Sequence, residues 1–211
     1  MSGAIGPREA EASAGAGAPI NDDGKMAPMK VVKPRVSYAD LERAPEDGRR
    51  YELYDGEAFV VPSPLPRHQI VAQLSWQVLA DYASVQGGLA LVSPIDIVLS
   101  EYNVVQPDVV FFQASRRHLV QLDAPIGHRP DLAIEVLSPS TAATDRGKKM
   151  QMLARYGVPE YWIVDPIGET VEIYTLVADS YLLAAIVART HQLRSPLLPD
   201  LTFPAASIFP S

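Results

Sequence analysis

The stretch VVQPDVVFF at residues 104–112, followed by PDLAIEVLSP at 130–139 and EYWIVDP at 160–166, decides the fold that the sequence predicts. Each segment contains a run of β-branched and aromatic residues, which is the pattern of a buried strand. Two carboxylates, Asp108 and Glu135, interrupt the first two apolar runs. A charge inside a buried strand is costly unless it is paired or binds a metal. The stretch therefore predicts a sheet with a polar site inside it.

Length and composition fit one folded domain with extensions. The chain has 211 residues, and its hydrophobic fraction of 47% is sufficient for one core. Residues 1–30 are rich in Gly, Ala and Pro, so we expect a flexible tail before a domain at residues 31–211. The absence of cysteine excludes disulfides and thiolate ligands and fits a cytoplasmic protein. We expect no membrane partner, because the longest strongly apolar run, 182–188, is much shorter than a spanning helix.

Outside this stretch the hydrophobic pattern predicts further helices and strands of an α/β fold. Helices are predicted at residues 37–46, 67–86 and 144–156, single strands at 89–99, 104–112, 130–137 and 160–164, and hairpins at 50–62 and 170–188. The first three single strands are close enough in sequence to form an antiparallel meander. The last helix is long enough to cross over and place the fourth strand parallel to the third. The predicted core is a mixed central sheet flanked by helices, with a hairpin at either end.

The two acidic residues are expected to meet on neighbouring strands. If strands 104–112 and 130–137 are antiparallel, the beginning of the first lies beside the end of the second, where Asp108 and Glu135 occur. Pro107 cannot donate to a strand ladder, so it predicts a strand start or a bulge that leaves room for a ligand.

The helix predicted at 144–156 is expected to point one lysine at the same place. Lys149 is in helical register with Met152, Leu153 and Tyr156, the apolar stripe that should face the sheet. Lys148 lies on a mostly polar face. The spacing therefore favours Lys149 as the inward lysine, with its apolar stem buried and its amine reaching the carboxylates. The alternative is that its amine extends to solvent.

Two more side chains are candidates for the same site. Glu52, in the first predicted hairpin, is a possible third acid, and the alternative is an exposed hairpin charge. His68, at the start of the long helix, is a candidate for contact with a metal-bound water or a phosphate, and the alternative is a polar helix terminus. The two strand carboxylates also have a structural alternative, which is an ion pair with Arg129 or Arg146.

Two carboxylates and a lysine are the groups that metal-dependent phosphodiester hydrolysis uses. Hard oxygen ligands suit Mg²⁺ or Mn²⁺, which bind through few protein carboxylates and keep several waters. Asp108 and Glu135 are predicted to hold the ion. Lys149 is predicted to orient or deprotonate the attacking water and to balance charge on the phosphorus.

These residues resemble the motifs of a known superfamily. Gln106-Pro107-Asp108, Glu135 and the segment DRGKKMQMLARYGVPEYWIVDP at 145–166 resemble the PD-(D/E)XK restriction-endonuclease-like proteins. Within that superfamily the chain looks like the Uma-two family of prokaryotic predicted endonucleases, over about residues 37–209. The superfamily's usual lysine would stand at position 137, which is Leu137 here, and the family's lysine matches Lys149.

The resemblance implies a restriction-endonuclease-like αβββαβ core and a catalytic set of Asp108, Glu135 and Lys149. It also implies Mg²⁺- or Mn²⁺-dependent hydrolysis of nucleic acid, with DNA as the expected substrate, and assembly into a homodimer or higher homo-oligomer. The rival interpretations are a catalytically silent module that binds nucleic acid or protein, and a structural homo-oligomer without a substrate.

The charge of the chain is unusual for a nucleic-acid-binding protein. A net charge of −7 argues against bulk electrostatic attraction to a polyanion, so binding would require a local basic groove. The arginines that are candidates for this groove are Arg116, Arg117, Arg129 and Arg146. The alternative is that they form a solvated loop and helix edge.

Overall fold

The computed structural model describes residues 34–210, and the predicted flexible tail at residues 1–30 lies outside this range. The helices are α1 (Tyr38–Arg43), α2 (Pro66–Gln86), α3 (Ala142–Thr144) and α4 (Met150–Arg155). The strands are β1 (Arg50–Tyr54), β2 (Glu57–Val61), β3 (Leu89–Val92), β4 (Ile97–Ser100), β5 (Asn103–Val105), β6 (Val109–Phe112), β7 (Leu132–Val136), β8 (Glu160–Asp165), β9 (Thr170–Val177), β10 (Ser180–Ala188), β11 (Gln192–Arg194) and β12 (Thr202–Pro204). Short 3₁₀ helices occupy Ala114–Leu119 and Ala205–Ile208.

The central sheet has six strands in the order β10, β9, β8, β7, β6 and β3. Strand β6 pairs antiparallel with both β3 and β7, which confirms the predicted meander. Strands β7 and β8 are parallel, because the helical segment from α3 to α4 crosses over between them. The predicted αβββαβ core is therefore confirmed as α2, β3, β6, β7, the α3–α4 segment and β8.

Two segments predicted as single strands are each divided between two sheets. The segment 89–99 forms β3 and β4, and the segment 104–112 forms β5 and β6. Strands β4 and β5 join the first hairpin in a separate sheet with the order β2, β1, β5 and β4. The prediction of one unbroken strand at 89–99 was wrong, whereas the start of β6 just after Pro107 agrees with the strand start or bulge expected at that proline. Pro94 and Pro107 have no N–H to continue a ladder, and the chain changes sheets at both places.

The side chains of β7 point alternately to the two faces of the central sheet, and each face is covered by its own apolar layer. Leu132 and Ile134 pack with α2 and the C-terminal segment, whereas Ala133 packs with α4 and the second sheet. Tyr161 and Trp162 are buried on opposite faces of β8. Glu135 shares the face of Ala133, so its carboxylate enters the space between the central sheet, the second sheet and the crossover helix.

The crossover helix departs from regular α-helical geometry where it passes the sheet. Asp145–Lys149 forms a π-helical turn between α3 and α4. Such turns are rare, and they occur frequently at functional sites. None of the helices in residues 34–210 combines the length and the apolar character needed to cross a membrane.

Candidate active site

The amine of Lys149 lies at the centre of a buried ionic cluster. Its Nζ is 2.9 Å from Glu52 Oε1, 3.0 Å from Glu135 Oε2 and 3.7 Å from Asp145 Oδ1. The residue is only 4% exposed, so the alternative in which the amine extends to solvent is excluded. Burial lowers the pKa of the amine, but the surrounding carboxylates outweigh that effect and raise the pKa well above its usual range. Lys149 is therefore protonated and positively charged at neutral pH.

Glu135 reaches the cluster from the end of β7. One carboxylate oxygen, Oε2, accepts a hydrogen bond from Lys149, while the other, Oε1, is buried without a hydrogen-bond partner among the described residues. Burial raises the pKa of this carboxyl well above its usual range, and the lysine only partly opposes the rise. The nearby acids Asp145, Asp108 and Glu52 raise the pKa further. The site therefore has more carboxyl groups than cations, and among residues 34–210 one carboxyl oxygen, Glu135 Oε1, has unused acceptor capacity.

Asp108 lies in the break between β5 and β6, opposite Glu135. Strands β6 and β7 pair antiparallel, and the last pair at this end is Val109 with Ile134. Asp108 precedes Val109 and Glu135 follows Ile134, so the two acids lie next to each other, as the sequence predicts. Asp108 Oδ2 accepts a hydrogen bond of 2.8 Å from the backbone N–H of Val136. The two strand carboxylates thus approach each other, and no arginine in residues 34–210 forms an ion pair with either of them.

His68 contacts Asp108 from the first turn of α2. Its Nε2 is 3.1 Å from Asp108 Oδ2, and its Nδ1 is buried without a hydrogen-bond partner among residues 34–210. Burial lowers the pKa of the imidazole, but the hydrogen bond and charge of Asp108 produce a net rise. The structure therefore places His68 inside the site. Its contact with Asp108 shows that it is more than a polar residue at a helix terminus.

Glu52 is also inside the site, and both of its oxygens are engaged. Oε1 accepts from the backbone N–H of Gln106 at 2.8 Å besides contacting Lys149, and Oε2 accepts from the hydroxyl of Tyr54 at 2.7 Å. The expectation that Glu52, Asp108 and Glu135 form one metal-binding set is not met. No group of three or more carboxylates or imidazoles in the described part of the chain is placed to share an ion. The physical reason is that the lysine amine occupies the space between the two glutamates.

Asp145 is a member of the cluster that the sequence analysis did not identify. It is 2% exposed, and burial raises the pKa of its carboxyl. The sequence contains one indication of this role. Asp145 precedes Lys149 by four residues, and residues at that spacing lie on the same face of a helix.

The cluster opens into a cavity of about 440 Å³. Its walls come from the hairpin β1–β2, the connection to α2, the β5–β6 break and the segment after β7. The polar residues that line it are Arg50, Glu52, Ser63, His68, Gln106, Asp108, Glu135, Ser138, Ser140, Thr141, Thr144, Asp145 and Lys149. A smaller cavity of about 200 Å³ shares part of this lining. Asp108, whose side chain is 17% exposed, is the acid most accessible from this cavity, whereas Glu52, Glu135 and Asp145 lie buried in its wall.

The donor set fits a hard divalent cation held by few protein ligands. Glu135 Oε1 has no hydrogen-bond partner in the described part of the chain, and Asp108 lies beside it, with one oxygen held by the Val136 N–H and by His68. Mg²⁺ is commonly bound by one or two carboxylates and completes its shell with water and substrate phosphate, so a third protein acid is not required. A cation at this place would also offset the excess of carboxylates over Lys149.

The four arginines considered for a basic groove, Arg116, Arg117, Arg129 and Arg146, do not line either cavity. Arg116 and Arg129 both pair with buried Asp131, and Arg146 pairs with Glu172. These three arginines are therefore committed to structural carboxylates.

Comparisons with known proteins agree with the fold. The sequence profile of the Uma2 family, described as "Putative restriction endonuclease", matches residues 37–206. Among solved structures, the chain is similar to "a putative nuclease belonging to DUF820" from Anabaena variabilis, with a TM-score of 0.68 and 19% identity. The match covers 82% of this chain and 97% of the other. No curated protein is similar enough in sequence to extend the comparison. The profile spans most of the chain and the predicted restriction-endonuclease-like core is present, so the chain belongs to the Uma2 family.

Proposed function

We propose that this protein is a metal-dependent endonuclease that hydrolyses phosphodiester bonds of nucleic acid, with DNA as the expected substrate. The observation that carries the proposal is the buried Oε1 of Glu135, which has no hydrogen-bond partner within residues 34–210. This oxygen lies opposite Asp108 in the wall of a cavity that Lys149 also lines. The nuclease description of the family and the similar structure support the same reaction class.

Asp108 and Glu135 would hold Mg²⁺ or Mn²⁺. When bound, the cation would supply the Lewis acidity that polarises the phosphate and lowers the pKa of an attacking water. Val136 keeps one oxygen of Asp108 in place through its N–H.

Lys149 acts as a fixed positive charge in this proposal. Its raised pKa argues against removal of a proton from water, because a base must first lose its own proton. Glu52 and Glu135 instead hold the ammonium group in one position, from which it orients water and stabilises negative charge that develops on the phosphate. His68 is proposed as a group that transfers a proton, because it lines the cavity and its Nδ1 has no hydrogen-bond partner among the described residues.

The test is hydrolysis of plasmid DNA and labelled oligonucleotides by the purified protein with Mg²⁺, Mn²⁺ or EDTA. Asp108→Asn and Glu135→Gln are expected to lower the rate by about 100-fold or more, since each removes a proposed metal ligand. The matched control is Asp179→Asn, at an exposed turn between β9 and β10, which is expected to keep full activity. Hydrolysis that survives both site variants, or that persists in EDTA, contradicts the proposal. DNA binding without hydrolysis in any metal favours the catalytically silent module.

We also propose that the protein forms a homodimer through strand β10. This strand is an edge of the central sheet, contains no charged residue, and exposes Leu182, Leu183 and Ile186. Edge strands of this kind usually carry charges that prevent pairing, whereas an antiparallel edge is complementary to a second copy related by a two-fold axis.

A further inference from the structure

Arg50 lies next to the acidic cluster and faces the same cavity. It begins β1 two residues before Glu52, and residues at this spacing lie on one face of a strand, about 7 Å apart. Arg50 lines the larger cavity together with Glu52, Asp108 and Glu135. Arg50 therefore faces the same cavity as the two carboxylates, Asp108 and Glu135, that would hold the proposed cation.

The contacts of Arg50 fix its position without neutralising its charge. Its Nη1 donates to Ser93 Oγ at 3.1 Å, and its Nη2 donates to the carbonyl of Pro62 at 3.2 Å. Both acceptors are neutral. In residues 34–210 no carboxylate forms an ion pair with Arg50, whereas the adjacent Arg49 pairs with Asp47. A guanidinium has five N–H donors, so donors remain for a ligand.

The other cations of the cavity are already committed to carboxylates. Lys149 contacts Glu52 and Glu135, and His68 contacts Asp108. A phosphodiester that approaches this acidic wall requires a positive charge that is not neutralised. Arg50 is suited to that task, because a guanidinium binds phosphate oxygens through paired, charge-assisted hydrogen bonds.

Arg50 also marks the junction of two adjoining cavities. Arg50, Ser63, Pro64 and Asp108 line both the cavity of about 440 Å³ and the cavity of about 200 Å³. The larger volume falls within the range of about 300–1,000 Å³ that is typical of small-ligand sites. A nucleic-acid strand that fills both cavities would carry one of its phosphates past Arg50 and Asp108.

We infer that Arg50 is a substrate-binding residue that holds a phosphate of the nucleic-acid strand at the junction of the two cavities. The inference rests on the proposed nuclease function for its choice of ligand. It assigns the bound phosphate to the bond that is cleaved, because Asp108 lies at the same junction. Arg50 supplies the local positive charge that the acidic chain otherwise lacks at this site.

The experiment measures binding and hydrolysis separately. Fluorescence anisotropy with a fluorescein-labelled strand of ten thymidine nucleotides gives the Kd at low salt, in EDTA and with Ca²⁺. Arg50→Gln is expected to raise the Kd by roughly 10- to 100-fold, the loss typical of a charge-assisted hydrogen bond. Arg49→Gln is the matched control, since that side chain is exposed and does not line either cavity, and it is expected to change the Kd by less than about twofold.

Arg50→Lys provides a second variant that keeps the charge and loses the paired donors. Arg50→Lys is expected to bind the strand more weakly than the unsubstituted protein and more tightly than Arg50→Gln. If Arg50→Gln does not fold, the Kd of Arg50→Lys is compared with that of Arg49→Gln instead. Equal Kd values for the Arg50 and Arg49 variants overturn the inference. So does an absence of measurable binding by the unsubstituted protein in both conditions. Binding that depends on Arg50, without hydrolysis in Mg²⁺ or Mn²⁺, supports the inference while contradicting the proposed nuclease activity.

Discussion

Replacement of Lys149 by methionine is the most direct test of the ionic cluster. Methionine keeps most of the apolar length of the side chain and removes the ammonium group. The change leaves the carboxylates of Glu52, Glu135 and Asp145 buried without their shared cation. Removal of one partner from a buried ion pair costs about 3–5 kcal/mol, because the remaining charge is not compensated. We expect the free energy of unfolding to fall by about this amount at neutral pH.

The corresponding change in melting temperature is large enough to measure. For a domain of about 150–250 residues, 1 kcal/mol corresponds to roughly 2–4 °C, so Lys149→Met is expected to lower the Tm by roughly 6–20 °C. Differential scanning calorimetry or the circular dichroism of thermal unfolding gives this value. The matched control is Lys148→Met, because the amine of Lys148 is 3.4 Å from Glu57 and both side chains are more than half exposed. An exposed pair contributes about 1 kcal/mol or less, so the control should lower the Tm by no more than a few degrees.

The pH dependence of the variant gives a second measure of the same effect. The pKa of Glu135 is already raised in the folded protein, and loss of the lysine removes the group that opposes the rise. A carboxyl with a raised folded pKa binds its proton more tightly when folded, so its destabilising effect is present above that pKa and disappears as the pH falls through it. The Tm difference between Lys149→Met and the unsubstituted protein should therefore shrink from pH 8 to pH 5. Equal melting temperatures for the Lys149 and Lys148 variants would refute this account of the cluster.

Three further predictions test other parts of the structure. Glu160→Gln should lower the free energy of unfolding by about 1–3 kcal/mol in chemical denaturation, because the amide cannot accept all the hydrogen bonds that the buried carboxylate receives, including that of the Leu197 N–H. Leu182→Lys with Ile186→Lys should convert a dimer to a monomer in light scattering coupled to size exclusion, and an unchanged mass would contradict the proposed β10 contact. Calorimetric titration with Mn²⁺ should show binding that is weakened at least tenfold in Glu135→Gln, and equal affinity would remove this residue from the metal site.

The sequence was sufficient to predict the central sheet and the approach of its two acids. The apolar runs around Asp108 and Glu135 predicted two strands, and their antiparallel pairing placed the two acids beside each other. The helical spacing of Lys149 with Met152 and Leu153 correctly predicted a buried lysine. These predictions succeeded because each depends on local periodicity and on one strand pairing between neighbouring segments.

Other features depend on contacts between segments that are distant in the chain. The second sheet forms because β1 pairs with β5, and this pairing brings Glu52 to the lysine and Arg50 to the junction of the cavities. Hydrophobic pattern alone gave no reason to divide the segments 89–99 and 104–112 between two sheets. The sequence by itself thus determined which strands and helices form and which faces are apolar. The tertiary structure alone decided which charged groups share one buried space, because the energy of a buried charge depends on neighbours that periodicity does not specify.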